Sequence, residues 1–297
     1  MNRILLTGKN GQVGWELQRA LATLGEVIAL DRHGMDLADP DSIRRAVREH
    51  NPNLIVNVAA YTAVDKAEEE PDLAMAINGI APGILAEEAK RLGAAMIHYS
   101  TDYVFDGNKD GPYTEEDVPN PLNIYGKTKL VGEQAIQAVG VPYLIFRTSW
   151  VYGTRGKNFL LTILRLAKER DELRIVYDQI GAPTWSRMIA EATGQCLTQF
   201  NLSMTDHQSS ITDLCGTYHL SAAGVTSWYG FAIAIFRHAE AMGLCNTPTL
   251  EPIPTEAYLR PALRPANSVL ASKKIESNFR VCLPDWQAAL QLCLDEL

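Results

Sequence analysis

The first half of the chain alternates short apolar segments with longer segments of helical periodicity, and this alternation restricts the fold more than any other feature. Five apolar segments have the length of a strand: Ile4–Thr7, Val27–Leu30, Leu54–Asn57, Ala95–Tyr99 and Tyr143–Phe146. Helix-period segments lie between them: Gln12–Leu24, Ser42–Glu49, Leu73–Leu92 and Thr128–Ala138. Repeated β-α-β units form a parallel sheet with helices on both faces. The sequence therefore predicts an α/β fold with a doubly wound parallel sheet.

A glycine-rich loop follows the first predicted strand and opens the first predicted helix. Residues 8–14 read GKNGQVG, with glycines spaced G-x-x-G-x-x-G. Such glycines let the backbone approach a pyrophosphate closely, and the helix N-terminus offers unpaired N–H groups and partial positive charge. Asp31 ends the second strand about 20 residues on, where a carboxylate accepts the ribose hydroxyls of adenosine. A plain tight turn with a solvated aspartate is the alternative. Arg32 can instead meet a 2′-phosphate, so NADH and NADPH both stay open.

The regular alternation weakens after about Trp150. A helix over Asn158–Lys168 and a strand near Leu173–Val176 are compatible with the same sheet, but shorter elements joined by Pro- and Gly-rich turns follow. We therefore predict a Rossmann-like dinucleotide-binding domain over residues 1–150 and a smaller, partly interleaved C-terminal lobe. This lobe, mainly residues 151–297, is expected to bind the substrate, with part of 151–220 returning to the sheet.

Tyr125 and Lys129 lie four residues apart in the segment that reads IYGKTKLVGE, so a helix would place them on one face. A phenol titrates near pH 10, and a cation within about 4–6 Å lowers its pKa by stabilising the phenolate. The pair is predicted to act as an acid–base catalyst, with a hydroxyl of Ser100 or Thr101 holding the reacting oxygen. On spacing alone, a surface tyrosine packed on a lysine stem is more common. The dinucleotide loop upstream reverses that preference.

Tyr-x-x-x-Lys, the upstream Ser/Thr and the N-terminal G-x-x-G-x-x-G together resemble the extended short-chain dehydrogenase/reductase family, whose members mostly act on nucleotide sugars. Further segments narrow the resemblance to its keto-sugar reductases: Val58–Glu68, Ser100–Phe105, Arg147–Tyr152, Gly181–Thr184 and Leu283–Trp286. The resemblance covers nearly the whole chain. It implies reduction, with NADPH or NADH, of the C4 keto group of dTDP-4-dehydro-6-deoxy-L-mannose to give dTDP-L-rhamnose.

The resemblance also implies roles for individual residues. Tyr125 would donate a proton to the sugar C4 oxygen, and Lys129 would lower the pKa of Tyr125 and hold the nicotinamide ribose. Thr101 would position the keto oxygen, and Asp102 and Trp150 would contact the sugar nucleotide beside it. Tyr125 and Lys129 would line the dinucleotide together with Gly8, Asn10, Gly11, Gln12, Val13, Gly14, Asp31, Asp36, Leu37, Ala60, Tyr61 and Thr62.

The position after Asp102 helps to distinguish reactions within the family. In its dehydratases this stretch commonly reads Thr-Asp-Glu, and the glutamate removes a proton from the sugar ring. Here the third residue is Tyr103, which favours simple reduction over elimination. Two alternatives stay open: a nucleotide-sugar 4-epimerase, which uses the same Thr, Tyr and Lys, and a non-catalytic regulatory subunit with the same fold.

Composition excludes several other classes. Acidic residues outnumber basic ones by 35 to 27, and the formal charge of −8 leaves no basic surplus for nucleic acid. The five cysteines contain no C-x-x-C pair, which favours reduced thiols in a cytoplasmic protein over a disulfide framework or zinc site. No window reaches the roughly 18 apolar residues of a membrane span, and the first apolar run is too short for a signal peptide. No membrane partner is expected.

The resemblance further implies a Mg²⁺ ion near a subunit interface, and hence a homodimer. The glutamates that match by position are Glu16, Glu191 and Glu296, and carboxylates suit a hard divalent cation. On sequence alone, glutamates at such positions are more often ordinary surface charges.

Two other features attract attention without entering the predicted site. His98 precedes Thr101 closely, and we interpret it as a packed strand residue because no triad partner is nearby. Arg260, Arg264 and Asn267 share a loop of the second lobe, where a pyrophosphate-binding role and a packing role are equally open.

Overall fold

The computed structural model of the protein describes residues 2–205, 214–243 and 247–297. Its strands, in chain order, are β1 Arg3–Thr7, β2 Glu26–Leu30, β3 Leu54–Asn57, β4 Ala95–Thr101, β5 Tyr143–Thr148, β6 Val151–Tyr152, β7 Glu172–Val176, β8 Ile180–Gly181, β9 Thr184–Trp185, β10 Gly216–His219, β11 Thr226–Ser227 and β12 Thr249–Ile253. The central sheet has six parallel strands in the order β10-β5-β4-β3-β1-β2. The predicted parallel sheet is therefore confirmed.

The helices supply both faces of this sheet. They are α1 Gln12–Ala20, α2 Pro40–His50, α3 Val64–Ala67, α4 Pro71–Met75, α5 Ala81–Leu92, α6 Ile124–Val139, α7 Phe159–Leu166, α8 Ser186–Thr205, α9 Trp228–Ala241, α10 Lys273–Phe279 and α11 Trp286–Leu294. Helix α1 packs with α8 and α10 on one face, around Leu17, Leu197 and Phe279. Helices α2, α5 and α6 cover the other face, around Ile43 and Leu85. The sheet is thus doubly wound, as the alternation predicts.

The second lobe differs in detail from the sequence expectation. The segment near 173–176 forms β7, but it pairs with β12 in a separate two-stranded sheet, so its assignment to the central sheet was wrong. Strand β10, from the range 151–220, joins the central sheet beside β5 instead. The lobe has its own core of α7, α9 and α11 around Phe231, Trp286 and Leu290. Exposed and buried residues alternate along the first four positions of β7, where Glu172 and Arg174 are exposed and Leu173 and Ile175 are buried. Such alternation is expected of a strand with one face open to solvent, as in this smaller sheet.

Capping residues place the functional helices. Asp39 caps α2 by accepting from the Asp41 N–H at 2.9 Å, and Pro40 stands first in the helix, as its sequence signal indicates. Asn123 caps α6 by accepting from the Gly126 N–H at 2.8 Å. Helix α6 therefore starts earlier than the predicted Thr128 and includes Tyr125 in its first turn. Tyr125 and Lys129 lie on one helix, as predicted.

Two glycines let α6 approach its neighbours closely. A Cβ at Gly126 would lie 2.1 Å from the Tyr103 carbonyl oxygen, and a Cβ at Gly132 would lie 2.2 Å from the Asn78 carbonyl oxygen. Asn78 belongs to a π-helical turn, Ala76–Ile80, which interrupts the helix predicted over 73–92. These contacts fix how deeply Tyr125 sits below the carboxyl ends of the strands.

A buried ion pair ties α6 to β5. The Arg147 guanidinium donates to both Glu133 carboxylate oxygens, at 3.0 and 2.7 Å, and both side chains are nearly inaccessible to solvent. Removing one partner of such a pair leaves a buried charge uncompensated, which typically costs about 3–5 kcal/mol. Glu133→Gln is therefore expected to lower the free energy of unfolding by about 3 kcal/mol, measured by urea denaturation followed by circular dichroism.

The matched control for this prediction is Glu169→Gln. Glu169 pairs with Arg165 on the exposed surface of the second lobe, where ion pairs contribute little. Its substitution should leave the urea midpoint nearly unchanged. Equal losses in the two variants would contradict the assignment of the Glu133 pair as a buried structural contact.

Candidate active site

A first cavity lies where the glycine loop meets the end of β2. It has a volume of about 300 Å³. Its walls include the predicted dinucleotide residues Gly8, Asn10, Gly11, Asp31, Asp36, Leu37 and Ala60, together with Thr7, Leu30, Arg32, Met35, Ala59 and Ile77. Asp31 forms an ion pair with Lys9 at 3.2 Å, and Lys9 together with backbone N–H groups lowers the pKa of Asp31. Arg32 pairs with Asp36 at 3.5 Å, so cations and carboxylates alternate at the mouth of this cavity.

A second cavity, of about 500 Å³, continues from the first along the carboxyl ends of the strands. It is lined by Gly8, Asn10, Gly11, Gln12, Val13, Gly14, Val58, Ala59, Ala60, Thr62, Tyr99, Ser100, Tyr125, Lys129, Thr148, Val151, Gly156 and Lys157. The loop residues predicted to hold the dinucleotide thus meet the predicted catalytic pair in one space. Tyr61 points elsewhere, since its hydroxyl donates to Glu70 at 2.6 Å.

Two glycines of the loop leave room for a ligand. Gly8 has a φ of +72°, and a Cβ there would lie 2.9 Å from the Ala59 Cα. A Cβ at Gly14 would lie 2.1 Å from the Gly8 carbonyl oxygen. Both positions therefore require glycine for the tight turn that directs backbone N–H groups at the start of α1 into the cavity. This cradle fits a dinucleotide pyrophosphate.

The environment of Tyr125 corrects one prediction. Burial raises the pKa of the phenol to about 12, a hydrogen bond with Thr101 lowers it in part, and the Asp102 charge raises it. Lys129 was expected to lower this pKa, but its amino group donates to the Tyr99 carbonyl oxygen at 2.6 Å and lies 3.1 Å from His98 Nε2. The cost of burying a phenolate exceeds any help from the lysine. Tyr125 thus retains its proton at neutral pH.

Lys129 is itself strongly affected by burial. Its side chain is 2% exposed, and burial lowers the pKa of the ammonium to about 8, with Glu133 acting in the opposite direction. The two groups predicted to cooperate therefore change in opposite senses, the phenol becoming a weaker acid and the ammonium a stronger one. Lys129 lies on the cavity wall together with Tyr125 and the glycine loop.

Thr101 and Asp102 form a polar pair just beneath the phenol. The Thr101 hydroxyl donates to Asp102 Oδ1 at 2.9 Å, and both side chains are at most 5% exposed. Burial raises the pKa of Asp102 to about 6, although hydrogen bonds from Ser268 and Thr101 oppose this. The predicted contact of Asp102 with the sugar nucleotide stays a prediction, because the carboxylate packs against Thr101 inside the fold.

The raised pKa of Asp102 predicts a pH-dependent stability. The unfolded carboxyl ionises near pH 3.9, whereas the folded one holds its proton to about pH 6. Between these values the folded state binds more protons, so stability falls as the pH rises. Asp102→Asn cannot ionise, and its unfolding free energy minus that of the wild type should increase by roughly 3 kcal/mol at most from pH 4 to pH 7. Urea titrations across this range would measure it; a constant difference would contradict the shift.

A third cavity, of about 600 Å³, lies between the sheet domain and the second lobe. Its walls comprise Asp65, Tyr103, Phe159, Arg174, Ile175, Val176, Gln179, Trp228, Thr255, Glu256, Tyr258, Leu259, Arg260, Ala262, Leu263 and Arg264. The Tyr103 ring packs edge-on to Tyr125, with centroids 5.5 Å apart. Tyr103 therefore joins this cavity to the predicted catalytic tyrosine.

Trp150 lies beside this cavity in a strained conformation. Its φ is +47°, which a residue with a side chain seldom adopts, and its ring stacks on Trp228 at 3.6 Å. A Cβ at Gly181 would lie 2.6 Å from the Trp150 ring, so a glycine is required there. Trp228 faces the third cavity. Contact between Trp150 and a sugar nucleotide stays a prediction.

Arg260, Arg264 and Asn267 share a loop of the second lobe, but they have different roles. Arg264 donates to both Asp65 oxygens, at 2.6 and 2.9 Å, and thereby joins the two lobes. Asn267 donates to the Lys109 and Gly111 carbonyl oxygens at 2.8 Å, which is a packing role. Arg260 lies on the third cavity with its guanidinium over the Tyr258 ring.

The family of this chain follows from its similarity to known proteins. The whole chain, residues 1–297, matches the family described as RmlD substrate binding domain. The chain belongs to the RmlD substrate binding domain family. It is 49% identical over 298 residues to a dTDP-4-dehydrorhamnose reductase of Burkholderia thailandensis, covering 99% of both chains. It is 48% identical to the enzyme of that name from Escherichia coli, covering 99% of this chain and 97% of the other.

Solved structures of the RmlD family agree in fold. A dTDP-4-dehydrorhamnose reductase from Clostridium acetobutylicum is 40% identical and superposes with a TM-score of 0.89, covering 99% of both chains. One from Bacillus anthracis, solved in complex with NADP, is 35% identical with a TM-score of 0.88, covering 100% of this chain and 99% of the other. A UDP-glucose 4-epimerase from Thermus thermophilus, 22% identical with a TM-score of 0.78, shares the fold and covers 99% of this chain.

The three glutamates predicted to bind magnesium at a subunit interface, Glu16, Glu191 and Glu296, lie on helices α1 and α8 and near the end of the described chain. Glu16 and Glu296 converge, but both bind the Arg187 guanidinium, to which Glu16 lies at 3.4 Å. Glu191 is exposed on α8. Within residues 2–205, 214–243 and 247–297, no group of three His, Cys, Asp or Glu side chains is arranged to hold a metal ion. Within one subunit the Arg187 guanidinium thus pairs with both carboxylates, and a magnesium site at a subunit interface stays a prediction.

Several wall residues of the second cavity were not predicted. Thr148 was visible in a segment that carries the resemblance, where its hydroxyl ends a buried strand, whereas Ser100 was named beside Thr101 as a candidate to hold the reacting oxygen. Lys157 had no signal, because only tertiary folding brings the loop before α7 to the glycine loop. His98 was interpreted as a packed strand residue; it is buried, and it also contacts Lys129. Its strand position was visible in the sequence, but its partner on α6 was not.

Proposed function

We propose that the chain reduces the C4 keto group of dTDP-4-dehydro-6-deoxy-L-mannose with NADPH or NADH, giving dTDP-L-rhamnose. The observation that carries the proposal is a phenol, Tyr125, that keeps its proton on the wall of a cavity shared with a dinucleotide loop. Reduction of a ketone needs a proton donor at the oxygen, which such a phenol supplies. Relatives 48–49% identical over the full chain carry the name of this reductase.

Residues of this chain would hold the reactants in the following way. The glycine loop and the N-terminus of α1 would bind the pyrophosphate, and Asp31 would bind the adenosine ribose. Reduced nicotinamide, when bound, supplies the hydride to the carbonyl carbon. Tyr125 would donate its proton to the C4 oxygen, while the Thr101 hydroxyl, which lies beside the phenol, would turn its single hydrogen from Asp102 Oδ1 to hold that oxygen in place. Lys129 would return a proton to Tyr125 from its buried position.

The third cavity is the proposed place for the sugar nucleotide. It opens next to Tyr103 and Tyr125 and carries the Arg260 guanidinium, which suits a pyrophosphate. Its aromatic walls, including Trp228 and Tyr258, suit the flat faces of a base and a sugar. Arg264 and Asp65, which both line this cavity, form an ion pair that joins the two lobes.

A product-resolved assay tests the proposal. Purified protein is supplied with dTDP-4-dehydrorhamnose and NADPH or NADH, cofactor oxidation is followed by absorbance, and the product is identified by NMR. One cofactor oxidised for each dTDP-L-rhamnose formed is the expected result. Conversion of a dTDP sugar to its C4 epimer with bound NAD and no added reductant would favour the epimerase, and inactivity with either cofactor would favour the regulatory subunit.

Two further expectations accompany the proposal, a cytoplasmic location and a homodimer. The four cysteines that the structure describes carry free thiols, in keeping with a reducing compartment, while Cys245 lies outside the described residues. No helix in the described part of the chain is long and apolar enough to cross a bilayer. Light scattering after size exclusion would measure the subunit number.

A further inference from the structure

A row of buried polar side chains crosses the central sheet and ends at Lys129. Thr7 on β1, Asn57 on β3 and His98 on β4 stand opposite one another in the register of adjacent strands, and each is at most 2% exposed. The Thr7 hydroxyl donates to Asn57 Oδ1 at 2.8 Å, and Asn57 Nδ2 lies 3.0 Å from His98 Nδ1. His98 Nε2 lies 3.1 Å from Lys129 Nζ. The row thus connects the strand end before Gly8 to the predicted catalytic lysine.

The positions of the hydrogen atoms on Asn57 and His98 are coupled to the protonation state of Lys129. A neutral imidazole has one N–H donor and one acceptor nitrogen. Burial, with the Lys129 charge nearby, lowers the pKa of His98 well below its usual value, so the ring is neutral. Where Asn57 presents its amide N–H to Nδ1, the imidazole hydrogen lies on Nε2 and is donated to a neutral Lys129 amine. Rotating the amide by 180° reverses each role, and Nε2 then accepts from a Lys129 ammonium.

We propose that His98 is a positioning residue of the reductase: it holds the Lys129 amino group at the dinucleotide cavity and, with the Asn57 amide, sets the pH at which that group loses its proton. The inference rests on the proposed function, because Lys129 affects the reaction as the partner of Tyr125. The other contact of Nζ, the Tyr99 carbonyl oxygen, only accepts. His98 is the contact that can serve either charge state of the lysine.

Besides His98, the titratable or charged groups on the same helix or cavity wall as Lys129 are Glu133, Tyr125, Tyr99, the exposed Lys127 and Lys157, the last an exposed residue of the loop before α7. Glu133, one turn further along α6, favours the ammonium, but Arg147 neutralises that carboxylate through two hydrogen bonds. Tyr125 precedes Lys129 by one turn and stays protonated. With burial alone favouring the amine, each hydrogen-bond acceptor at Nζ helps to keep the lysine charged near neutral pH.

Three variants separate the proposed role from simple packing. His98→Leu removes the Nε2 acceptor that the rotated Asn57 amide offers to the ammonium; because losing an acceptor costs the charged group more than losing a donor costs the neutral amine, the pKa of Lys129 should fall by about one unit or more. His98→Gln keeps an amide oxygen within reach of Lys129 Nζ, so the pKa of Lys129 should fall by less than half as much as in His98→Leu. Asn57→Asp keeps the shape of the side chain, and its carboxylate can accept from both Thr7 and His98 Nδ1–H. Nε2 then faces Lys129 as an acceptor near a negative charge, so the pKa of Lys129 should rise.

The experiment follows Lys129 directly in the full-length protein. Lysine is labelled with ¹³C at the ε carbon, the Lys129 signal is assigned by its loss in Lys129→Met, and its shift is titrated by NMR. Opposite shifts in His98→Leu and Asn57→Asp, with little change in His98→Gln, are expected. The high-pH decline of kcat should move in the same directions, because the charged lysine supports turnover.

The outcomes distinguish this inference from the proposed function. Equal Lys129 titrations in the wild type and Asn57→Asp would overturn the inference, whether or not His98→Leu folds. A downward shift in Asn57→Asp would overturn it as well. The NMR titration needs no turnover, so wild-type inactivity toward the keto sugar would reject the proposed function alone.

Discussion

Tyr125→Phe is expected to lower the rate of keto-sugar reduction by about 10²–10⁴-fold, the usual contribution of a positioned acid. The phenol hydroxyl is the group lost, while the ring that packs against Tyr103 remains. Because the pKa of Tyr125 is about 12, the wild-type hydroxyl is protonated throughout the neutral range and is ready to donate. Single-turnover oxidation of NADPH in the presence of saturating keto sugar measures this step.

The specificity of that loss is checked by binding and by a matched variant. NADPH affinity, measured by fluorescence titration, should change by less than about threefold, since the hydroxyl does not form the pyrophosphate cradle. Tyr177→Phe removes a hydroxyl from a half-exposed tyrosine of the second lobe and should behave as wild type. Wild-type turnover in Tyr125→Phe would remove this residue from the mechanism.

Gly14→Ala is the second substitution with a large expected effect, and it acts on the dinucleotide. The added Cβ would lie 2.1 Å from the Gly8 carbonyl oxygen, which is backbone and cannot rotate away. The loop or α1 must shift, at a cost of about 1–3 kcal/mol for an overpacked position. We expect NADPH and NADH to bind about tenfold to hundredfold more weakly, as measured by calorimetry.

Gly194→Ala provides the control for this prediction. Gly194 lies inside α8, and an added Cβ would be 3.5 Å from the Ala20 carbonyl oxygen, an ordinary contact distance. Alanine is the better helix former, so the variant should fold at least as stably and bind both cofactors normally. Equal cofactor affinities in the Gly14 and Gly194 variants would contradict the close-approach argument.

Local signals in the sequence predicted most of the sheet domain. Buried parallel strands such as Leu54–Asn57 read as unbroken apolar runs, and the Asp39 cap marked the start of α2. The second lobe was harder to predict, because β7 has the length and polarity of any short strand and nothing in it indicates its partner. Its partner β12 is 77 residues away in the pairing register, and sequence periodicity contains no information on pairing over such a distance. No signal in the sequence predicted the π-helical turn at Ala76–Ile80 either.

The site shows the same division between local and tertiary information. Spacing placed Tyr125 and Lys129 on one helix, as found, and the family resemblance implied that the glycine loop lies beside them, where one cavity contains both. It did not give the direction of the electrostatic effects. The pKa of Tyr125 rises and that of Lys129 falls because both groups are buried, and burial depends on the whole fold. His98 became a functional candidate only when strand register aligned it with Asn57 and Thr7.

A crystal structure with NADP⁺ and dTDP-L-rhamnose bound would show whether the Tyr125 hydroxyl meets the reacting oxygen of the sugar. We expect the Tyr125 hydroxyl within about 2.6–3.2 Å of the sugar C4 oxygen, and C4 facing the nicotinamide ring in the second cavity. Lys129 would lie at the nicotinamide ribose while still in contact with His98. A sugar bound with its C4 oxygen away from Tyr125, or a nicotinamide outside the cavity shared by Tyr125 and the glycine loop, would contradict it.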